Sequence, residues 1–307
     1  MISLPLSKAE QVESGELAQR SSWIGWLPVS LLPLIALVCR NLLTSWRFMW
    51  ILAFAIFIGM KWLTWWKARL RFEHPAWRST AYLLAWPGMD AEAFLDVDQH
   101  VLPPPTKTWV WASLETALGA VLLWVVARSV PQREILLRGW FGMVGLILLL
   151  HFGTFQIVGL MWQSIGVKAV PIMTAPIRSV SLGEFWGRRW NLGFRQLAHE
   201  LIFRPLYRTV GAELAGFFVF VASGLIHELV ISLPARGGYG FPTAYFVLQG
   251  VGITIERSTF GKRIGLGRGR IGWLFMALFV AGPVFWLFHL WFVLRVILPF
   301  MHAIHAL

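Results

Sequence analysis

Apolar runs recur along the 307 residues, near 22–40, 48–66, 108–127, 139–162, 214–233, 241–256 and 271–294, and the last continues past Pro299. Several reach the roughly 20 residues that cross about 30 Å of hydrocarbon. A lone strand cannot satisfy its backbone in lipid, so every run is predicted to be helical. The 241–256 run is short, and Pro33, Pro242 and Pro283 are predicted to cap or kink helices. The pattern predicts an all-α, polytopic transmembrane bundle of about 7–9 spans, joined by interfacial helices.

Polar stretches divide these runs. A polar tail occupies 1–21, ahead of a run that lacks a small-residue cleavage site and therefore reads as a first span. Residues 67–107 begin basic at Lys67, Arg69, Arg71 and Arg78 and turn acidic at Asp90, Glu92, Asp96 and Asp98. A second insertion covers 164–213, and "RSTFGKRIGLGRGR" at 257–270 carries five basic residues and no acidic one. Counting alternate loops puts these three segments on one side, the more basic one, which the positive-inside tendency assigns to the cytosol. No internal repeat is visible, and 1–307 reads as a single integral-membrane domain.

Composition sharpens this picture. Hydrophobic residues make up 57% of the chain and charged residues 14%, with 19 Trp and 23 Phe; mean hydropathy is +0.64. A soluble domain does not reach such values. The net charge of +12 sits in loops beside apolar spans, where anionic headgroups account for it and no nucleic-acid partner is needed. Cys39 is the only cysteine, so a disulfide framework is excluded.

Two polar constellations interrupt this apolar chain. In "SLGEFWGRRWN" (181–191), Ser181 and Glu184 form a capping-box pattern, which predicts a helix running from Ser181 through the aromatics. On that helix Arg188, Asn191 and Arg195 would share one face, with Trp186 and Trp190 on its neighbour. Guanidinium forks suit phosphate oxygens, and an amide suits a carbonyl. An interfacial amphipathic helix with snorkelling arginines explains the same residues without any ligand. In "VASGLIHELV" (221–230), His227 and Glu228 lie deep in a span, where ionisable groups face a bundle interior or a wet cavity. Ser223 lies one turn before His227, and Gly224 leaves room for close approach. An imidazole there can take a proton from an attacking hydroxyl. Interhelical hydrogen bonding would explain it equally, as expected for His151 and His289. Gln249 and Glu256 in the next run are candidates either to line a chamber or to bond between helices.

"SLGEFWGRRWN", "LIFRPLYR" and "SGLIHE", in that order, resemble the wax synthase-like branch of the membrane-bound O-acyltransferase superfamily. "YLLAWPGMDA" (82–91) and "YFVLQGVGITIE" (245–256) extend the resemblance over roughly residues 80 to 257. It implies a helical bundle enclosing a catalytic chamber, with His227 as the catalytic residue and Asn191 as its partner. It also implies acyl transfer from acyl-CoA, as co-substrate, to a hydrophobic alcohol without a covalent acyl-enzyme. A long-chain alcohol and a wax-type ester are the expected pair, in a cell inner membrane or the endoplasmic reticulum. Charge and helical phase add Arg188, Arg189, Arg195 and Trp186 as candidates for the coenzyme A moiety, with Lys168 and Arg204 as further cations. Ser223, Glu228 and Gln249 are candidates for the substrate side.

Other signals carry less. "GKRIGLGRGR" lacks the Gly-Lys-Ser/Thr order of a phosphate loop. No four ligands share a site, so neither a metal nor a permanently bound cofactor is expected. Two alternatives stay open at this stage: a short-chain acetyl donor acting on a lipid-like alcohol, and a proton-coupled transporter using His227 and Glu228 as a relay. Oligomeric state has no signature.

Overall fold

A computed structural model describes residues 8–99 and 101–307. The first seven residues of the polar tail lie outside it. Every regular element among the described residues is helical. Among the described residues six helices are long and apolar enough to cross a membrane: Trp23–Leu42, Ser45–Ala68, Thr106–Ser129, Ile135–Ser164, Leu192–Ala235 and Gly269–Leu287. Two shorter helical stretches, Phe241–Arg257 and Leu290–Ala303, complete the bundle.

Small residues decide how closely the helices approach. A Cβ on Gly59 would lie 2.7 Å from Val29 Cα, so the first two spans meet backbone to backbone. Gly119 and Gly145 do the same between Thr106–Ser129 and Ile135–Ser164, with a Cβ on Gly145 falling 2.9 Å from the Gly119 carbonyl oxygen. Lipid tails are as apolar as leucine, so such van der Waals contact replaces the hydrophobic drive of a soluble core. Leu31, Val38, Leu114 and Leu278 are exposed on the outer faces, as lipid contact requires. Between the spans, Leu123, Ile231, Tyr245, Phe292, Val296 and Met301 form the main buried cluster.

Two elements depart from the sequence expectation. Pro33, with Pro28, lies inside the helix Lys8–Val38, neither capping nor ending it. Pro242 does sit in the first turn of Phe241–Arg257, and Pro283 separates Gly269–Ala281 from Val284–Leu287. Leu192–Ala235 is longer than the 214–233 run, and Gly211 breaks it with φ 80° and ψ 173°. That backbone is open to glycine and strained for other residues. The stretch before Gly211 belongs to the polar insertion, and the stretch after it is the span.

The polar segments fold against one another. Tyr82, Trp86, Phe94 and Leu95 of the first insertion pack with Val167 and Ala169 of the second. Lys168 Nζ donates to Gln99 Oε1 at 2.5 Å, and Trp273 Nε1 donates to the Ile177 carbonyl at 2.8 Å. Residues 67–107, 164–213 and the start of the last long span therefore meet in one layer at one end of the bundle.

Candidate functional site

The Ser181 end of the knot forms as its sequence predicts. Ser181 Oγ accepts the Glu184 backbone N–H at 2.9 Å, and Glu184 Oε2 accepts from Val180 N at 2.9 Å. That backbone donor, before the Arg189 guanidinium, holds the Glu184 carboxyl below its ordinary range. The helix does not continue. A short turn at Leu182–Glu184 gives way to a π-helical turn, Phe185–Arg189; Trp190 is extended and Asn191 is left-handed at φ 45°. A new helix, Leu192–Ala198, then begins. Tertiary bonds hold the break open: Thr174 N donates to the Arg189 carbonyl at 2.8 Å and Leu192 N to the Ile172 carbonyl at 2.9 Å.

The single face expected for Arg188, Asn191 and Arg195 is thereby overturned, because Asn191 is the hinge between two helices. The arginines also separate in their contacts. Arg189 Nε donates to Glu184 Oε1 at 2.7 Å and Nη1 to the Thr174 carbonyl at 3.2 Å, so its fork is engaged inside the knot. Arg188 and Arg195 are exposed and have no hydrogen-bond or ion-pair partner among the described residues. They are the knot's available cations.

Trp186 turns inward. Its indole N–H donates to Gln249 Oε1 at 3.3 Å, and its ring packs on Phe220 at 5.9 Å and Phe246 at 5.7 Å. Gln249 is fully buried, and its Nε2 donates to the Phe279 carbonyl at 2.6 Å. Glu256 caps the start of the knot, with Oε2 accepting from Leu182 N at 2.6 Å and Oε1 from Gly183 N at 3.3 Å. Both polar residues of Phe241–Arg257 thus bond between segments, the second of the two roles open to them from sequence.

His227 lies at the end of Arg204–His227, where Glu228–Ser232 widens into a π-helical turn. At 1.5 Å per residue it sits about 12 Å from the Ala235 end and about 24 Å from the Gly211 break. Its Nδ1 lies 2.7 Å from the Ser223 carbonyl oxygen. A carbonyl only accepts, so Nδ1 carries the proton and Nε2 keeps a lone pair. Nε2 has no partner among the described residues, and the side chain is only partly buried. The imidazole packs on Phe246 at 4.4 Å between ring centroids. Phe220, seven residues earlier, shares its helix face. The knot's Trp186 therefore rests two turns from His227 on one face, and Phe246 touches both rings. Trp190 meets Trp186 at 6.5 Å, which extends this aromatic wall to the residue beside Asn191.

The other histidines differ. His289 is satisfied at both nitrogens, by Ser232 Oγ at 3.3 Å and by the Phe292 N–H at 3.2 Å. His151 departs from expectation, because its buried Nδ1 has no partner among the described residues. Glu228 Oε1 accepts from Gly240 N at 3.0 Å, Thr243 N at 3.1 Å and Thr243 Oγ1 at 3.0 Å, while Oε2 is buried without a partner among the described residues. Through Oε1 it caps the start of Phe241–Arg257. Ser223 contributes its carbonyl to His227. A cavity of about 460 Å³ opens beside Gln196 and Leu197, one to two turns past Asn191, and Lys67, Arg71 and Arg204 also line it. Neither His227 nor Asn191 is among the residues that line it.

A family model described as the membrane bound O-acyl transferase family matches residues 169–248, a stretch that holds both Asn191 and His227. The chain is 32% identical over 142 residues to the probable long-chain-alcohol O-fatty-acyltransferase 7 of Arabidopsis thaliana, covering 42% of each chain. It is 31% identical over 102 residues to the long-chain-alcohol O-fatty-acyltransferase of Simmondsia chinensis, over 30% of this chain and 29% of that one. The acyl-CoA–sterol O-acyltransferase 1 of Arabidopsis thaliana matches at 31% over 130 residues, 38% of this chain and 37% of the relative. The chain therefore spans less than half the length of these relatives in each match. By its ordered motifs and these matches, the chain is similar to the membrane-bound O-acyltransferase family over residues 169–248, and to long-chain-alcohol O-fatty-acyltransferases over less than half of its length.

Proposed function

We propose that the protein transfers an acyl group from acyl-CoA to the hydroxyl of a hydrophobic alcohol within the membrane, with a long-chain alcohol giving a wax-type ester as the best-matched pair. The observation that carries this is the state of His227: Nδ1 is committed to the Ser223 carbonyl, and Nε2 is left as a free base on the face that the knot adjoins. The names of the relatives, which act on long-chain alcohols or sterols, support the acceptor class.

In this mechanism His227 Nε2 takes the alcohol proton as the oxygen attacks the thioester carbonyl carbon. The carbonyl pair moves onto oxygen and returns as the C–S bond breaks. The imidazolium then gives its proton to the departing thiolate, and no acyl-enzyme forms. Asn191 would present its amide to the thioester carbonyl, where a donor stabilises the developing oxyanion. Arg188 and Arg195, exposed and unpaired among the described residues, are the natural holders of coenzyme A phosphates.

The test is direct. Purified protein in lipid, given labelled acyl-CoA and a panel of alcohols, should release free coenzyme A and form esters. His227→Ala should abolish ester formation while the protein stays folded. Wild-type activity in His227→Ala would reject the assigned base, and pH-dependent flux without ester would reject the reaction class.

A further inference from the structure

Lys61 lies inside the second span, about 10 Å from its Ala68 end by helix rise, and is 1% exposed. No carboxylate pairs with it among the described residues. Its Nζ donates to the Gly88 carbonyl and stands 3.3 Å over the Tyr82 ring centroid. A lysine amine buried in a span without an acidic partner is costly, and such groups are kept where they do something. Its partners all belong to "YLLAWPGMDA", a motif that the acyl-transfer chemistry above leaves without a role.

The turn that Lys61 grips leads to the site. Tyr82 is tied to the same span, its hydroxyl 2.7 Å from Thr64 Oγ1. Past Gly88, Met89 is buried beneath the second helix of the knot: a Cβ on Gly193 would lie 3.2 Å from Met89 N and 3.3 Å from Met89 Cβ. Gly193 is two residues beyond Asn191, whose left-handed backbone sets where its amide points. Lys61, Gly88, Met89 and Gly193 thus form one continuous contact path from a membrane span to the Asn191 hinge.

We infer that Lys61 is a positioning residue for Asn191, fixing the Trp86–Asp90 turn on which the 191–193 hinge rests. This rests on the acyl-transfer proposal. Lys61→Met keeps the stem volume but removes the donor, leaving the Gly88 carbonyl buried without a partner. Lys61→Gln keeps a donor with shorter reach. A purely structural lysine predicts that Met, the better apolar residue, is tolerated at least as well as Gln. A positioning lysine predicts the reverse order in turnover.

The experiment measures kcat and acyl-CoA KM per folded molecule for Lys61→Met, Lys61→Gln, Gly193→Ala, the distant packing control Leu123→Ala, and the double variants Lys61→Met/Gly193→Ala and Lys61→Met/Leu123→Ala. Expected are a drop in kcat of at least tenfold for Met with little change in KM, and partial recovery in Gln. The Met and Gly193→Ala losses should combine to less than their product, whereas Met with Leu123→Ala should multiply. Unchanged kcat in Lys61→Met, or multiplicative losses with Gly193→Ala, would overturn the inference. If Lys61→Met does not fold, the Gln variant decides alone: a fall in kcat per folded molecule with little change in KM supports the inference, and wild-type kcat overturns it. Absence of ester formation by the wild-type protein would instead refute the reaction, an outcome separable from either result at Lys61.

Discussion

Glu256 offers a sharp test of how the knot is held. Its carboxylate is nearly buried and accepts two backbone donors at the start of the knot, Leu182 N at 2.6 Å and Gly183 N at 3.3 Å. Hydrogen bonds to charged groups contribute roughly 1.5–3 kcal/mol each, and a buried donor left without an acceptor costs a comparable amount. The Leu182 bond counts in full and the longer Gly183 bond only in part, so Glu256→Ala should lower the local opening free energy by about 2–4 kcal/mol. At about 1.4 kcal/mol per decade this is roughly a 30-fold to 800-fold acceleration of amide exchange at Leu182 and Gly183. Glu256→Gln keeps one acceptor oxygen and should lose about half of that free energy. Hydrogen-exchange mass spectrometry of detergent-solubilised protein reads this on peptides covering 179–190, with peptides from Thr106–Ser129 as an internal reference. Acceleration in Glu256→Ala below about threefold, or the same acceleration in the reference span, would refute the capping role.

The remaining predictions use the same contacts. Arg195→Ala should raise the apparent acyl-CoA KM more than it lowers kcat, since its guanidinium is exposed and unpaired among the described residues; a fall in kcat alone would remove it from phosphate binding. Arg189→Ala should instead destabilise the knot, measured as faster exchange of the Arg189–Asn191 region, because its fork bonds Glu184 and the Thr174 carbonyl. The Glu184 carboxyl is held below its ordinary range by the Val180 N–H first and Arg189 next. Its contribution is therefore complete above the unfolded carboxyl pKa of about 4.3 and lost as pH falls through the lower folded value. Tryptophan fluorescence should report knot loosening only below about pH 4, and Glu184→Gln should abolish that transition. Gly224→Ala should cost about 1–3 kcal/mol, because the new Cβ would lie 2.8 Å from Thr243 Cα and must push two helices apart; an unchanged thermal midpoint would contradict that packing.

What is legible in the sequence follows what the solvent imposes. Lipid leaves the backbone no choice but helix, so the apolar runs and the burial of His227 among them can be read directly. The knot's beginning is legible as well, since Ser181 and Glu184 are local partners three residues apart. Its continuation is not. Periodicity carries no sign of a residue at φ 45°, and the bonds that break the helix at Trp190 come from Ile172 and Thr174, many residues upstream. With the helix broken, the shared arginine face goes too, and Arg189 turns from a ligand candidate into an internal brace. Two buried ionisable side chains show the same division. Glu256 stands out in an apolar run, yet its partners lie more than 70 positions away and only the fold brings them together. Lys61 escapes a reading of the sequence because one lysine hardly lowers the hydropathy of a 24-residue helix, although an ionisable side chain at that depth is itself a signal. Both hold backbone of the two polar insertions against the spans, Lys61 beneath Asn191 and Glu256 ahead of the aromatics that reach His227. In the proposed reaction the membrane interior would supply the base and the insertions the amide. The ionisable side chains that join them are those whose sequence neighbours least explain them.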